Sequence, residues 1–305
     1  MNKHHSMTLF EWTMLIVLSI IWGGSFFFIG LSAKELPSFT IVFLRVGLAS
    51  IILWLALMLV GKKMPGDKEI WKMFFTIGLI NNVIPFSLIA WGQHHIASGL
   101  ASILNATTPF FTIVLAHLFT REERISKNRL IGLVIGFFGV TLIVGLDIVE
   151  GASVNTLAQL AVLGAAFLYG FAIVYGRRFN SLGIDPIIAA TGQLTASTVV
   201  LFPIVLLIDS PWTLPFPNST TWAAILGLGV LSTAIAFILY YRILATAGAV
   251  NISLVTFLIP ISAIILGSLF LNEALEDRHF LGMAVIWLGL TIIDGRFFKR
   301  TTKLP

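Results

Sequence analysis

Long unbroken apolar runs constrain this 305-residue chain more than any other feature of its sequence. A helix that crosses the hydrocarbon core of a bilayer needs about 20 mainly apolar residues. The strands of a transmembrane barrel instead alternate apolar and polar residues in short segments. The runs here are continuously apolar, so they predict a bundle of membrane helices. Ten such runs occur, at residues 12–31, 37–60, 71–91, 97–119, 130–146, 157–176, 186–208, 222–241, 248–271 and 279–295.

The scarcity of charge supports the same fold class. Hydrophobic residues make up 57% of the chain and charged residues 11%, whereas a soluble domain has about 25% charged residues. There are too few charged side chains to cover a water-exposed surface, which excludes a soluble enzyme, a secreted domain and a disordered chain. The sequence contains no cysteine, so disulfides and thiolate metal sites are excluded as well.

The positive charges predict the orientation of the helices, because Lys and Arg are enriched in cytoplasmic loops. With a cytoplasmic N-terminus, 16 of the 19 Lys and Arg residues fall in cytoplasmic segments, 2 fall outside and Arg45 lies within a span. This distribution predicts that both termini are cytoplasmic. It also accounts for the net charge of +5 without a nucleic-acid partner, which we do not expect. The expected location is the bacterial cytoplasmic (inner) membrane, as a multi-pass protein.

An internal repeat relates the two halves of the chain at an offset of about 151 residues. The fourth and ninth runs both begin with small and polar residues, contain one proline and end before a glutamate. These residues are Pro109 and Glu123 in the fourth run, and Pro260 and Glu273 in the ninth. Glycines of the third and fifth runs recur in the eighth and tenth. The repeating unit is therefore five runs long.

Five is an odd number, so the second unit must cross the membrane in the opposite direction to the first. We therefore predict an all-α membrane protein with ten transmembrane helices, built as two inverted five-helix repeats. The predicted boundaries are residues 1–146 for the first repeat, 157–297 for the second and 298–305 for a cytoplasmic tail. Inverted repeats build secondary transporters, in which the substrate binds near the midplane where the halves meet.

These motifs together resemble those of the EamA branch of the drug/metabolite transporter superfamily, a family of ten-helix exporters. The likeness covers about residues 12–297. It rests on the Trp-Gly-Gly-Ser-Phe segment at 22–26, the Phe-Leu-Arg segment at 43–45 and the two helices that end in proline and glutamate. The resemblance implies a metabolite or drug exporter whose halves enclose a central cavity. Many relatives look like amino-acid exporters, including exporters of aromatic amino acids.

Arg45 is the one Lys, Arg, Asp or Glu residue that lies well inside a predicted span. Burying an ionisable group in a membrane costs at least ~2.5–3.5 kcal/mol on insertion scales, so such a residue is a functional candidate. Arg45 either recognises a substrate carboxylate or has a structural role, bonding helix-end carbonyls or reaching outward to water. Its counterpart in the second repeat is approximately the neutral Gln193, and both are assigned to the predicted substrate site. The absence of a mid-span carboxylate favours facilitated exchange or coupling through a histidine.

Polar residues at helical spacing line one face of the fourth span, and related residues occur on the ninth. They either line a central cavity or let the helices pack closely in lipid, since small and hydroxyl side chains do both. Pro109 and Pro260 lie within these spans, where each removes a backbone hydrogen bond and permits a kink. Paired helix breaks at corresponding positions of two halves point to the binding region. The predicted lining residues are Ser102, Asn105, Thr108, Ser253 and Thr256.

Amides and aromatic rings inside the spans complete the predicted substrate site. Asn81 and Asn82, near the middle of the third span, either contact the substrate or hold helices together. Aromatic rings can stack on aromatic or cationic substrates, and the alternative for each ring is packing between helices. Trp22 and Tyr169 match across the repeat at an offset of 147. The aromatic candidates are Trp22, Trp91, Tyr169 and Tyr240.

The expected function is a secondary transporter that exports small metabolites by alternating access, with neutral or aromatic amino acids as its substrates. A carrier of drugs or of other metabolites is the alternative. An intramembrane enzyme is disfavoured because H-E-x-x-H, G-x-S-x-G and paired mid-span aspartates are missing. A channel is disfavoured because it would need rings of charge or carbonyl filter loops.

No cofactor and no metal are expected, and the expected partners are a small-molecule substrate and the lipid bilayer. The sequence is compatible with either a monomer or a homodimer. The Gly132-x-x-x-Gly136 motif in the fifth span predicts a close helix contact, either within the chain or between two copies.

Overall fold

The computed structural model describes residues 8–120, 125–149, 153–247, 252 and 254–294. Within these residues the secondary structure is helical and contains no strand. We number the main helices α1 to α10 in chain order, and α8 consists of three consecutive segments. They are α1 (Leu9–Ser32), α2 (Ser38–Leu59), α3 (Lys68–Gly92), α4 (Ser98–Phe119), α5 (Lys127–Val149), α6 (Val154–Ser181), α7 (Pro186–Asp209), α8 (Ser219–Leu226, Gly227–Ile235 and Ala236–Ala247), α9 (Val255–Leu271) and α10 (Asp277–Asp294).

The length and composition of the helices confirm an all-helical membrane protein. Among the described residues, eight helices, α1 to α8, are long and apolar enough to cross a bilayer. Helix α9 is a shorter apolar helix of 17 residues. Helix α10 carries Asp277, Arg278 and Asp294 near its ends. The count of ten spans, their inverted arrangement and the cytoplasmic location of both termini remain predictions.

Local sequence explains where several helices begin. At α1, Thr8 and Glu11 cap each other's backbone: Thr8 N–H donates to the Glu11 carboxylate at 2.8 Å, and Glu11 N–H donates to Thr8 Oγ1 at 3.3 Å. At α7, Asp185 accepts from the N–H of Ile187 at 3.0 Å. Pro186 takes the first helical position, where its missing N–H costs nothing. These caps satisfy backbone donors that the helix itself leaves unpaired.

Helices α3 and α8 each contain a π-helical stretch, at Leu79–Val83 and Gly227–Ile235. At the predicted repeat offset of 151, residues 79–83 align with residues 230–234, which lie within the second stretch. Such stretches insert an extra residue into a helix and are frequent at functional sites. Here they carry buried polar side chains, namely Asn82 on α3 and Thr233 on α8.

Glycines allow α5 and α10 to pack closely along their length. A Cβ atom added at Gly132 would lie 2.6 Å from the carbonyl oxygen of Gly289, and one at Gly139 would lie 2.8 Å from that of Gly282. Neither position has room for a larger side chain. The close contact predicted for the Gly132-x-x-x-Gly136 motif therefore lies within the chain.

Other close glycine contacts occur in related pairs. A Cβ atom at Gly23 of α1 would lie 2.8 Å from the carbonyl oxygen of Ile259 in α9, and one at Gly170 of α6 would lie 2.8 Å from the N of Thr112 in α4. Gly23 and Gly170 are the positions that match at an offset of 147. A second pair of glycines behaves alike. Gly78 of α3 packs closely against Gln193 of α7, and Gly229 of α8 packs closely against Leu48 of α2. Gly78 and Gly229 match at the offset of 151.

Candidate functional site

A buried arginine stands at the centre of the candidate site. Arg45 of α2 is 7% exposed. Its Nε donates a hydrogen bond to Thr233 Oγ1 of α8 at 3.0 Å. Thr233 Oγ1 in turn donates to the carbonyl oxygen of Leu228 at 2.8 Å, a backbone acceptor within the π-helical stretch. The threonine hydroxyl thus has a fixed direction, and it accepts from the arginine.

Two aromatic rings adjoin the arginine. The Arg45 guanidinium carbon lies 3.7 Å from the ring centroid of Phe86 in α3, which is a cation–π contact. The ring of Phe86 meets that of Tyr169 in α6 edge-on, with centroids 6.3 Å apart. Helices α2, α3, α6 and α8 therefore each contribute one side chain to a connected group, which we call the arginine cluster (Arg45, Phe86, Tyr169 and Thr233).

A second polar group joins α3 to α7 and is uncharged. Asn81 Nδ2 donates to Gln193 Oε1 at 3.0 Å, and Asn82 Nδ2 donates to Ser197 Oγ at 3.1 Å. Asn82 is completely buried, and its Oδ1 has no hydrogen-bond partner among the described residues. We call these four residues the amide cluster (Asn81, Asn82, Gln193 and Ser197). Asn82 and Thr233 align at the predicted repeat offset of 151.

The polar face of α4 bonds mainly to its own backbone. Ser102 Oγ donates to the carbonyl oxygen of Gly99 at 2.6 Å, and Thr108 Oγ1 donates to that of Asn105 at 2.8 Å. Asn105 Oδ1 is buried without a partner among the described residues. The helix is interrupted between Asn105 and Thr108, immediately before Pro109. On α9, Pro260 lies inside a continuous helix and Thr256 is half-buried. Ser253 lies outside the described residues.

The remaining aromatic candidates lie in two different parts of the structure. Trp22 of α1 and Tyr240 of α8 are in contact, with ring centroids 5.6 Å apart. Trp91 is 37% exposed, and its ring meets that of His95 at 5.1 Å. The structure thus brings Trp22 to Tyr240 in the bundle and leaves Trp91 at the periphery. A role of these rings in substrate binding stays a prediction.

Three carboxylates at one end of the bundle make contacts that the sequence did not reveal. Each belongs to the end of one helix and accepts hydrogen bonds at the start of a helix in the other half. Glu273, after α9, accepts from Ser98 Oγ at 2.6 Å and from Ser98 N at 2.9 Å. Asp209, at the end of α7, accepts from Thr40 N at 2.7 Å and from Thr40 Oγ1 at 2.8 Å.

The third of these carboxylates is Glu35, after α1. It accepts from Asn218 N at 2.9 Å and from Thr221 Oγ1 at 2.8 Å, at the start of α8. Carboxylates stabilise helix N-termini because unpaired backbone N–H groups and the helix dipole meet them there. A Glu or Asp after one apolar run and a Ser, Thr or Asn before another are the sequence signals of such a contact. Those signals do not say which helix is capped.

The opposite end of the bundle holds a cross-half ion pair. Lys62, after α2, pairs with Asp185, before α7. Burial raises the pKa of the Asp185 carboxyl, but the hydrogen bond from Lys62 and the backbone N–H of Ile187 outweigh it and hold that pKa below its ordinary value. The pair is about 40% exposed, with side-chain exposures of 43% and 36%. Solvent therefore screens much of its energy.

Two cavities lie near the ends of the bundle. One of about 240 Å³ lies beside Lys62 and Asp185, and it is otherwise lined mainly by apolar side chains. The other, of about 280 Å³, is lined by polar residues that include His95, Asn155 and Glu276. Neither cavity is lined by a residue of the predicted substrate site. In the arginine and amide clusters, Tyr169 and Asn81 are partly exposed, whereas the other members are buried.

Ionisable and amide side chains enclosed by membrane helices mark candidate substrate or ion pathways. The chain belongs to the EamA-like transporter family, whose model matches residues 10–145 and 156–294. This match confirms the resemblance inferred from the sequence. The protein is a multi-pass integral membrane protein, and its partners are a small-molecule substrate and the lipid bilayer.

Relatives across bacteria cover nearly the whole chain. The uncharacterized transporter YoaV of Bacillus subtilis (strain 168) is 25% identical over 286 residues, which is 94% of this chain and 97% of that protein. Protein PecM of Dickeya dadantii (strain 3937) is 24% identical, over 93% of this chain and 92% of PecM. The uncharacterized inner membrane transporter YedA of Escherichia coli (strain K12) is 25% identical, over 92% of this chain and 89% of YedA.

A solved crystal structure shares the fold. It superposes with a TM-score of 0.66 at 17% sequence identity, covering 98% of this chain and 100% of that one. At this identity the likeness concerns the architecture alone.

Proposed function

We propose that this protein is a secondary transporter that exports small metabolites by alternating access, and that neutral or aromatic amino acids are its substrates. The observation that carries the proposal is the arginine cluster, in which buried polar and aromatic side chains from both halves of the chain meet. In carriers built from two repeats, the substrate binds at the interface of the halves near the bilayer midplane. The arginine cluster lies within the spans of α2, α3, α6 and α8, and it combines residues of both halves of the chain.

The transporter is built from two inverted repeats, at residues 1–146 and 157–297, followed by a tail at 298–305. Support comes from the glycine contacts, since Gly23 against α9 has its counterpart in Gly170 against α4. The corresponding π-helical stretches of α3 and α8 are a second line of support. The separate family matches to residues 10–145 and 156–294 are a third.

Both termini are cytoplasmic, and the protein resides in the bacterial inner membrane. The distribution of Lys and Arg supports this orientation. The name of the relative YedA describes an inner membrane transporter, which agrees with it. In this orientation the end of the bundle that carries Glu273 faces outward, and the end that carries Lys62 faces the cytoplasm.

Alternating access requires the contacts at the two ends to form and break in turn. The outward end has three carboxylate caps between the halves, made by Glu35, Asp209 and Glu273. The cytoplasmic end has the partly exposed pair of Lys62 and Asp185. Outward opening breaks the caps, and opening toward the cytoplasm breaks the pair of Lys62 and Asp185.

Purified protein in liposomes tests the proposed function. Radiolabelled L-phenylalanine and L-threonine are supplied at increasing concentrations, with protein-free liposomes as the control. The expected result is saturable, protein-dependent flux that unlabelled substrate inside the vesicles accelerates, because a carrier must return through the same site. Flux that rises linearly without saturation would contradict a carrier. Saturable flux of other metabolites with none of either amino acid would replace the amino-acid assignment.

A further inference from the structure

We propose that the terminal N–H groups of Arg45 bind the carboxylate of the transported molecule. The inference rests on the proposed function and deepens it. It names the groups of the protein that recognise the substrate and the group of the substrate that they recognise.

Among the residues that the structure describes, no counterion pairs with the charge of Arg45. The residue is 7% exposed, and no carboxylate of the described residues lies within ion-pair distance of it. Its neighbours in the arginine cluster are neutral, namely the hydroxyl of Thr233 and the rings of Phe86 and Tyr169. A buried charge without a partner is costly, and an anionic group of a ligand would offset that cost.

The hydrogen bonds of Arg45 leave its terminal nitrogens available. A guanidinium has five N–H donors, and Thr233 accepts from the single one on Nε. The four donors on the two terminal nitrogens make no hydrogen bond to a described residue. Two terminal N–H groups lie parallel on the planar guanidinium, which is the geometry that a carboxylate accepts in a bidentate pair.

Contacts on two sides orient the guanidinium for such a pair. Thr233 holds the Nε edge, and the hydroxyl of Thr233 is itself directed by the carbonyl oxygen of Leu228. Phe86 covers one face of the guanidinium, with 3.7 Å between the guanidinium carbon and the ring centroid. A group held at one edge and one face loses little conformational freedom when it binds a ligand. Thr233 is therefore a positioning residue for Arg45.

The test compares two probes that differ at the carboxylate, L-phenylalanine and L-phenylalaninamide, in liposomes containing wild-type protein, Arg45→Gln or Arg45→Lys. We expect the wild type to have a KM for phenylalanine at least about tenfold lower than for the amide, because a site built for a polar group rejects an analogue that lacks it. Arg45→Gln should remove most of this preference, and Arg45→Lys should retain part of it. Lys34→Gln, which removes an exposed charge, is the matched control and should keep the preference.

Each outcome decides between a recognition role and a structural one. A uniform loss of transport of both probes in Arg45→Gln, with an unchanged ratio of their KM values, would overturn the assignment and leave Arg45 a structural residue. Equal KM values for the two probes in the wild type would overturn it while leaving the carrier function intact. Absence of saturable wild-type flux for both probes would overturn the amino-acid assignment and this site together. Thermal melting of each variant in detergent identifies a fold defect. If Arg45→Gln has such a defect, Thr233→Val serves as the second variant. It should weaken the preference for phenylalanine without abolishing flux.

Discussion

The carboxylate of Glu273 accepts hydrogen bonds from both the backbone N–H and the hydroxyl of Ser98, a residue 175 positions earlier in the chain. The contact joins the end of α9 to the start of α4, so it links the two halves of the protein at one end of the bundle. It satisfies a donor at the start of a membrane helix, where water is scarce and an unpaired N–H is costly.

Glu273→Gln tests how much this contact stabilises the fold. The substitution removes the charge and leaves one oxygen to accept from Ser98, so we expect a loss of about 0.5–2 kcal/mol in the free energy of unfolding, as for other helix caps. Thermal or denaturant unfolding in detergent measures it. The matched control is Glu69→Gln, whose carboxylate is exposed and pairs with Lys72 on the same helix. Equal stability of the two variants would mean that the cap contributes nothing beyond a surface charge.

Gly132→Ala tests the packing of α5 against α10. A Cβ atom there would lie 2.6 Å from the carbonyl oxygen of Gly289, closer than two atoms can approach, so the helices must separate. We expect destabilisation of about 1–3 kcal/mol, typical of overpacking. Gly176→Ala is the control, because a Cβ atom at Gly176 meets nothing within 4 Å. Comparable melting temperatures for the two alanine variants would show that α5 and α10 can move apart freely.

Trp22→Ala tests the aromatic part of the proposed pathway. Trp22 packs on Tyr240 across α1 and α8, and its side chain is only partly buried. We expect transport to fall about tenfold while the yield of folded protein changes little, because stacking on an aromatic substrate is lost and no full cavity forms in the core. Flux in liposomes and size-exclusion profiles measure the two effects. Trp12→Ala, at a ring 42% exposed, should leave both unchanged. Normal flux in Trp22→Ala would remove Trp22 from the site.

Single cysteines test the proposed orientation directly, because the chain contains no cysteine of its own. Lys34→Cys follows α1 and Lys63→Cys follows α2, and both positions are exposed. A membrane-impermeant maleimide applied to intact spheroplasts should label the cysteine at 34 and should reach that at 63 only after lysis. The unsubstituted chain gives the background. The reverse pattern of labelling would invert the topology and place the carboxylate caps on the cytoplasmic side.

The membrane fold was predictable from the sequence for a simple physical reason. The hydrocarbon core of a bilayer admits only segments that are apolar and satisfy their own backbone hydrogen bonds. Each span therefore leaves a local signature of about 20 apolar residues. The runs at α1 to α8 were found in this way. Arg45 was found by the same logic, as an ionisable residue inside such a run.

The partners of the site residues were not predictable in this way. Arg45 donates to Thr233, 188 residues later, and no local pattern selects that hydroxyl from the many on the helices. Hydroxyls in membrane helices commonly bond to their own backbone, as Thr108 and Thr112 do, so their presence alone does not identify a partner. The π-helical stretch that carries Thr233 changes the direction in which α8 presents its side chains, which helical spacing does not reveal.

The sequence by itself determined the class of fold, the family and the position of Arg45 inside a span, and it predicted the internal repeat, because each depends on composition or on spacing along the chain. The tertiary structure decided which helix ends are joined by Glu35, Asp209 and Glu273, which glycines meet, and that Arg45 is held by neutral groups. Those are relations between segments distant in sequence, and only the packing of helices brings their atoms within hydrogen-bonding distance.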